Sequence, residues 1–363
     1  MWRHFARLPL QNRSNVVSLG EGDTPLVALE RISARLGRPQ VWLKAEHLNP
    51  TGSFKDRIAS VALSIAVERA LRGCIGTSSG NGGAAAAAYS ARAGLAAHLF
   101  ALSDTVELKL LQIVCLGASV HLVEGLGHDA KGTRRAAELI AGIGAEQGFF
   151  PMLTGGRYSP EAMDGAKTVA YELAEANPHL TAVYVPVGGG GLLAAIGRGY
   201  AEIAVSLPGP RPRLVAVQPA GCPTLGRALR GEPGELVEPT STAISGLQVA
   251  ALFDEAGAVS AVRDTGGHVV EIDDEAVWAA QAELAEVEGI LVEPAGATAW
   301  AGVLEDLRVG RLAAGDRVAI IATGAGFKDV AALRRMATAD VRTPRIGVEQ
   351  IAEVMAAAAS GRP

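Results

Sequence analysis

Along residues 54–71, FKDRIASVALSIAVERAL, the apolar positions Ile58, Val61, Ile65 and Leu71 recur at helical spacing and predict an amphipathic helix. Asn49, Pro50, Thr51, Gly52 and Ser53 supply the turn and capping chemistry before it. Further helical runs follow in GTRRAAELIAGIGAEQG, EAMDGAKTVAYELAEA and EAVWAAQAELAEVEG. Between them lie short β-rich runs: VWLKAEHL, AAHLFAL, ASVHLVE, AVYVPV, RLVAVQP and VAIIAT. Such alternation predicts an α/β fold with mostly parallel strands in more than one sheet. Ligands in these sheets sit beyond the carboxyl ends of the strands. PGPRPR (208–213) and GEPGELVEPTST (231–242) read as loops, and EVMAAAASGRP as an alanine-rich helical piece with a frayed tail. No repeat of solenoid period is visible.

The chain has 363 residues, enough for one large domain or two ordinary ones. Its 49% hydrophobic and 20% charged residues mark it as globular. A net charge of -5 leaves no electrostatic footprint for nucleic acid or an anionic membrane, and neither partner is expected. MWRHFARLPLQNRSNV lacks a signal-peptide apolar stretch, no later segment reads as membrane-spanning, and a cytoplasmic location is expected. Cys74, Cys115 and Cys222 have no CxxC spacing and read as small core residues.

Lys55 stands just inside the first turn of the helix expected over residues 54–71. A helix N-terminus suits an anion and mildly disfavours an ammonium. Either the lysine is solvated, with its stem covering apolar surface, or its free amine serves Schiff-base chemistry. Four strand-like stretches feed small-residue turns that open helices: NPTGSFKD, TSSGNGGAAAAAY (77–89), PVGGGGLLAAIG (186–197) and IATGAGFKD (321–329). Each offers backbone N–H groups to an anion, and four together suggest one shared ligand.

Other phosphate motifs fail. Gly-Lys of a Walker A loop occurs nowhere. For a dinucleotide fingerprint, Gly188 and Gly190 fit, but Leu193 takes the third position, and Gln218 and Pro219 stand where an acid would grip the ribose. His47, His98, His121 and His128 are scattered without metal-ligand spacing, so no metal is expected. A ligand with one phosphate and a reactive carbonyl remains, and pyridoxal 5'-phosphate has both.

The chain resembles the fold-type II pyridoxal-phosphate enzymes, the family of threonine synthase, threonine and serine dehydratases, cysteine synthase and the tryptophan synthase β chain. The resemblance runs in order through LGEGDTPLV (19–27), LNPTGSFKDR, SSGNGGAAAAAYSARAG, VPVGGGGL, VEPAGAT and TGAGFKD, and is strongest to threonine synthase. It implies two open twisted α/β domains with the cofactor in the cleft between them. The large cofactor-binding domain would comprise residues 1–40 and 155–345, the small mobile one 41–154, and a C-terminal helix and tail 346–363. It further implies that Lys55 joins the cofactor as a Schiff base and moves substrate protons, that Phe54 walls the ring, and that Asn81 bonds its phenolic oxygen. The backbone of Gly188, Gly189, Gly190, Gly191 and Leu192 would hold the phosphate, and Thr323 would face the pyridine nitrogen. Ser78, Ser79, Asn81 and Gly82 would grip the carboxylate of a small amino-acid substrate. A homodimer is expected.

A threonine need not keep the pyridine nitrogen protonated as an aspartate would, and the weaker electron sink favours loss of a leaving group. The expected reaction is elimination or replacement of a β- or γ-substituent on an amino acid. The alternatives are a true threonine synthase acting on phosphohomoserine, a threonine or serine dehydratase, and a silent sensor. Gly82 and Gly83 depart from the Thr-Ser that threonine synthases carry after Gly-Asn. Ser159 and Ala162 replace the asparagine and arginine of a segment that helps bind substrate phosphate there, with Arg157 nearby. Lys328, also followed by an aspartate, competes with Lys55 on periodicity; it reads as a structural lysine paired with Asp329 or a neighbouring carboxylate. Glu293 either orients the cofactor or caps the next helix.

Overall fold

The computed structural model describes residues 1–359 apart from 38, 79, 104, 106, 125, 127–129, 208, 235–239 and 338–344. Among these are the strands β1 (Leu26–Ala28), β2 (Gln40–Lys44), β3 (Gly73–Thr77), β4 (Ala96–Leu102), β5 (Ser119–Val123), β6 (Phe149–Pro151), β7 (Ala182–Pro186), β8 (Arg213–Pro219), β9 (Val269–Ile272) and β10 (Arg317–Ile321). Six form one sheet in the order β1-β2-β10-β7-β8-β9, and four a second in the order β5-β4-β3-β6. β1 runs antiparallel to β2, and the other pairings are parallel.

The large sheet is buried on both faces, which explains why its strands read as nearly continuous apolar runs. Successive side chains alternate between faces. Val183, Val185, Leu214, Ala216, Ala319 and Ile321 join a cluster with the helices Lys55–Glu68, Asn81–Ala93, Pro160–Ala176 and Gly191–Glu202. Ala182, Tyr184, Val215, Val217, Val318 and Ile320 face a second cluster with the helices Asp274–Glu288 and Pro294–Arg308. The parallel order leaves the loops after β7 and β10 side by side at their carboxyl ends.

The expected range of the small unit, 41–154, differs from the sheet pairing. β2 pairs with β1 and β10 in the six-stranded sheet, because Val41 and Leu43 are buried there. The four-stranded sheet draws only on residues 73–151. The run VWLKAEHL also stops being strand at Lys44, and Glu46–Leu48 forms a short 3-10 turn. Cys74 and Cys222 are buried as expected, whereas Cys115 is exposed. No helix among the described residues is long and apolar enough to cross a membrane.

Candidate active site

Lys55 begins its helix, and the turn before it is pinned to the turn after β10. Phe54 N–H donates to Thr323 O (3.1 Å), Ala325 N–H donates to Gly52 O (2.9 Å), and Ser53 pairs with Gly324 in an isolated bridge. The Asp56 carboxylate accepts from Thr51 N–H (3.0 Å) and Thr51 Oγ1 (2.8 Å). Burial raises Asp56 to about 6, against the opposing effect of those two bonds. Behind the turn, the fully buried Arg57 lies between two carboxylates, donating to Glu46 Oε2 (2.7 Å) and Glu172 Oε1 (2.7 Å). Lys44 Nζ completes the group, 2.7 Å from Glu172 Oε2 and 2.6 Å from Thr24 O. Burial alone would disfavour the Arg57 charge, yet Glu46 and Glu172 raise it above its usual range. The same pairing holds Glu172 well below the usual carboxylate range despite its burial. Buried charges matched in this way resist separation, so the turn before the Lys55 helix is anchored from beneath.

The Lys55 ammonium lies 4.7 Å from the centre of the Phe54 ring. Burial pushes it down to about 8, and Glu293 opposes that shift. Lys328 is turned elsewhere, its Nζ donating to Thr51 O at 2.6 Å. The expected pairing of Lys328 with Asp329 does not form: Asp329 Oδ1 instead caps the next helix by accepting from Ala332 N–H (3.0 Å). Burial lowers Lys328, while Glu293 and Asp56 oppose that effect. Glu293 occupies the N-cap of Pro294–Arg308, its backbone oxygen accepting from Gly296 and Ala297 N–H, with no side-chain capping bond. Its Oε1 accepts from Asn81 Nδ2 at 2.8 Å.

The second and third glycine turns converge through Thr154, which carried no signal in LTGGRY. A Cβ on Gly191 would lie 2.9 Å from Thr154 O, and one on Gly82 would lie 4.0 Å from Thr154 Cγ2 and 3.0 Å from Ser78 Oγ. Gly83 is required by the backbone, since a Cβ there would overlap Ser78 O. Gly190 has φ +85°, and the helix starting at Gly191 leaves its first amide N–H groups without helical acceptors. Gly188 and Gly189 are half-buried, and Leu192 sends its side chain into the core so that only its backbone remains for a ligand. Thr323 is nearly buried beside the Lys55 turn. Ser79 lies outside the described residues.

These residues fit a phosphate-bearing aldehyde. The glycine turn is a cradle that side chains would fill, Lys55 offers an amine with a depressed proton affinity, and Ser53 Oγ in the same turn is buried without a hydrogen-bond partner. Phe54, Lys55, Ser78, Asn81, Gly82, Thr154 and Thr323 all belong to this neighbourhood. Arg157, which the sequence offered as a compensating phosphate ligand, has its guanidinium on the exposed surface, 3.7 Å from Glu138. Ala162 is fully buried, and Ser159 Oγ is committed to Pro151 O.

Residues 17–324 match the family described as pyridoxal-phosphate dependent enzyme, and the chain belongs to it. It is a pyridoxal-phosphate-dependent lyase with the fold-type II architecture. The chain is 36% identical over 329 residues to threonine synthase of Mycobacterium leprae, covering 89% of this chain and 86% of that one. It is 32% identical to threonine synthase of Methanocaldococcus jannaschii, over 91% of this chain and 80% of that one. A solved structure of processed threonine deaminase isoform 2 from Solanum lycopersicum superposes with a TM-score of 0.72 at 21% identity, covering 99% of this chain and 88% of that one.

Proposed function

We propose that this lyase eliminates or replaces a β- or γ-substituent of a small amino acid, with Lys55 as the residue that carries the cofactor and moves substrate protons. The observation that carries the reading is geometric: the Lys55 turn is pinned to the Thr323–Ala325 turn, and Glu293, which acts electrostatically on Lys55, also accepts from the Asn81 amide. Pyridoxal phosphate, when bound, supplies the electron sink that loosens bonds at the α-carbon of an amino acid. Gly188 to Leu192 would hold its phosphate, Phe54 would wall its ring, and Thr323 would offer a neutral hydroxyl to its nitrogen. Ser78, Ser79, Asn81 and Gly82, at the start of the helix Asn81–Ala93, would receive the substrate carboxylate, which the helix dipole favours.

Within this class the chain is proposed to prefer a substrate whose leaving group is not a phosphate gripped by arginine. Burial of Ala162 and the outward turn of Arg157 support this. Losing one charge-assisted phosphate bond costs about 1.5–3 kcal/mol, or about one to two decades of specificity. Threonine formation from phosphohomoserine is the second reading, favoured by the names of the relatives. The test is kcat/KM for phosphohomoserine against serine, threonine and their O-acetyl and O-phospho derivatives. One of the smaller substrates is expected to win; phosphohomoserine winning by a wide margin would establish the second reading.

The unit carrying β3–β6 is proposed to move against the larger one and exclude water from the cleft. A cytoplasmic homodimer is proposed as the working form. Exposed apolar side chains at Leu48 and Phe327 and along Ile351, Val354 and Met355 support association, which light scattering on the purified protein would measure.

A further inference from the structure

We propose that Glu293 is a positioning residue that fixes the orientation of the Asn81 amide, holding one N–H of Asn81 Nδ2 so that the other is presented into the cofactor cleft. The proposal rests on the assignment of that cleft to pyridoxal phosphate. An asparagine amide can rotate to exchange its NH2 and oxygen at little steric cost, so its hydrogen-bond partners decide which end faces a ligand. An ionised carboxylate only accepts, and Glu293 Oε1 lies 2.8 Å from Asn81 Nδ2. The amide end near Glu293 is therefore the donor end.

Three features hold the carboxylate in place. Glu293 N–H donates to Gly324 O at 2.9 Å, which ties its backbone to the turn after β10. Gly324 leaves room for the contact, since a Cβ there would overlap the Glu293 carboxylate and stand 3.0 Å from Asn81 Nδ2. Lys55 and Lys328 both interact electrostatically with Glu293, which favours its ionised form. Asn81 begins a helix that packs on β3 and β4 of the smaller sheet, and Glu293 precedes a helix packed on the larger sheet, so the contact also ties these two elements together.

Glu293→Gln keeps the shape and removes both the charge and the acceptor-only character. The test is a double-mutant cycle on pyridoxal phosphate affinity, followed by absorbance, with Asn81→Ala as the second change. Glu293→Gln is expected to weaken cofactor binding about tenfold in the wild-type background and little in the Asn81→Ala background. In cofactor-free protein, the NMR titration of reductively methylated Lys55 should move to lower pH by about one unit in the Gln variant, through loss of the nearby anion. Should that variant fold poorly, Glu293→Asp retains the charge but withdraws the acceptor, and is expected to lose affinity through Asn81 while leaving the Lys55 titration near wild type. Equal losses in both backgrounds, or no loss in either, would overturn the positioning role. Wild-type protein that takes up no pyridoxal phosphate would instead overturn the site assignment on which the proposal stands.

Discussion

Lys55 is the residue where stability and the proposed chemistry pull in opposite directions. Its ammonium titrates near 8 in the fold against 10.5 for an ordinary lysine. Below pH 8 both folded and unfolded chains hold the proton, and folding bears the full cost of burying it, up to about 3 kcal/mol. Between pH 8 and 10.5 the folded state has released a proton that the unfolded state still binds, so this contribution to stability rises with pH; above 10.5 the cost is gone. Cofactor-free Lys55→Met should therefore be more stable than wild type at pH 7 by up to about 3 kcal/mol, with the gap closing by pH 10.5. Urea unfolding across that range measures it, and a gap independent of pH would contradict the burial argument. The buried group beneath behaves oppositely: Glu172→Ala leaves Arg57 and Lys44 facing each other without their shared anion, an expected loss of about 3–5 kcal/mol at neutral pH. A loss below about 1 kcal/mol would show that water or rearrangement replaces it. An ammonium on a helix N-terminus is locally unfavourable, which draws attention to Lys55 in the sequence, but only the family resemblance selects it for Schiff-base chemistry. Periodicity could not choose between it and Lys328, and the hydrogen bond from Lys328 to Thr51 O exists only in the fold. The Asn81–Glu293 contact spans 212 residues and has no local signature at all.

At the scale of elements, the turns after strands were the readable feature, because glycine runs that open helices have few other uses. Gly190 combines a left-handed backbone with crowding, since a Cβ there would lie 3.1 Å from Ala258 Cβ and 3.3 Å from Asp254 O. Gly310, at φ +73°, has nothing within 4 Å of that position. Gly190→Ala should thus cost about 1–2 kcal/mol of left-handed strain plus a packing term, while Gly310→Ala incurs the strain alone. Equal losses in chemical denaturation would contradict the crowding. β2, β7, β8 and β10 were legible as apolar runs because both sheet faces are covered. β1, β6 and β9, of three, three and four residues, were too short to show a period. The end of VWLKAEHL was misread as strand because Lys44 and Glu46 look like exposed polar positions until Arg57 and Glu172 are brought beside them.

For the whole molecule, the order of motifs along the chain carried the family and the cofactor, and membership over residues 17–324 agrees with it. The division into two sheets was harder to read, because β2 precedes the Lys55 helix in sequence yet pairs in the larger sheet. The substrate stays least legible, as it depends on which side chains the fold turns toward the cleft; Arg157 was available by spacing, and its guanidinium is exposed beside Glu138. The central claim is that two sheets place one lysine, Lys55, where the cofactor's carbonyl is held. Borohydride reduction of the pyridoxal-phosphate-loaded protein, followed by peptide mass spectrometry, tests this most directly. A single pyridoxyl adduct on Lys55 is expected; an adduct on Lys328, or none on either lysine, would contradict this placement.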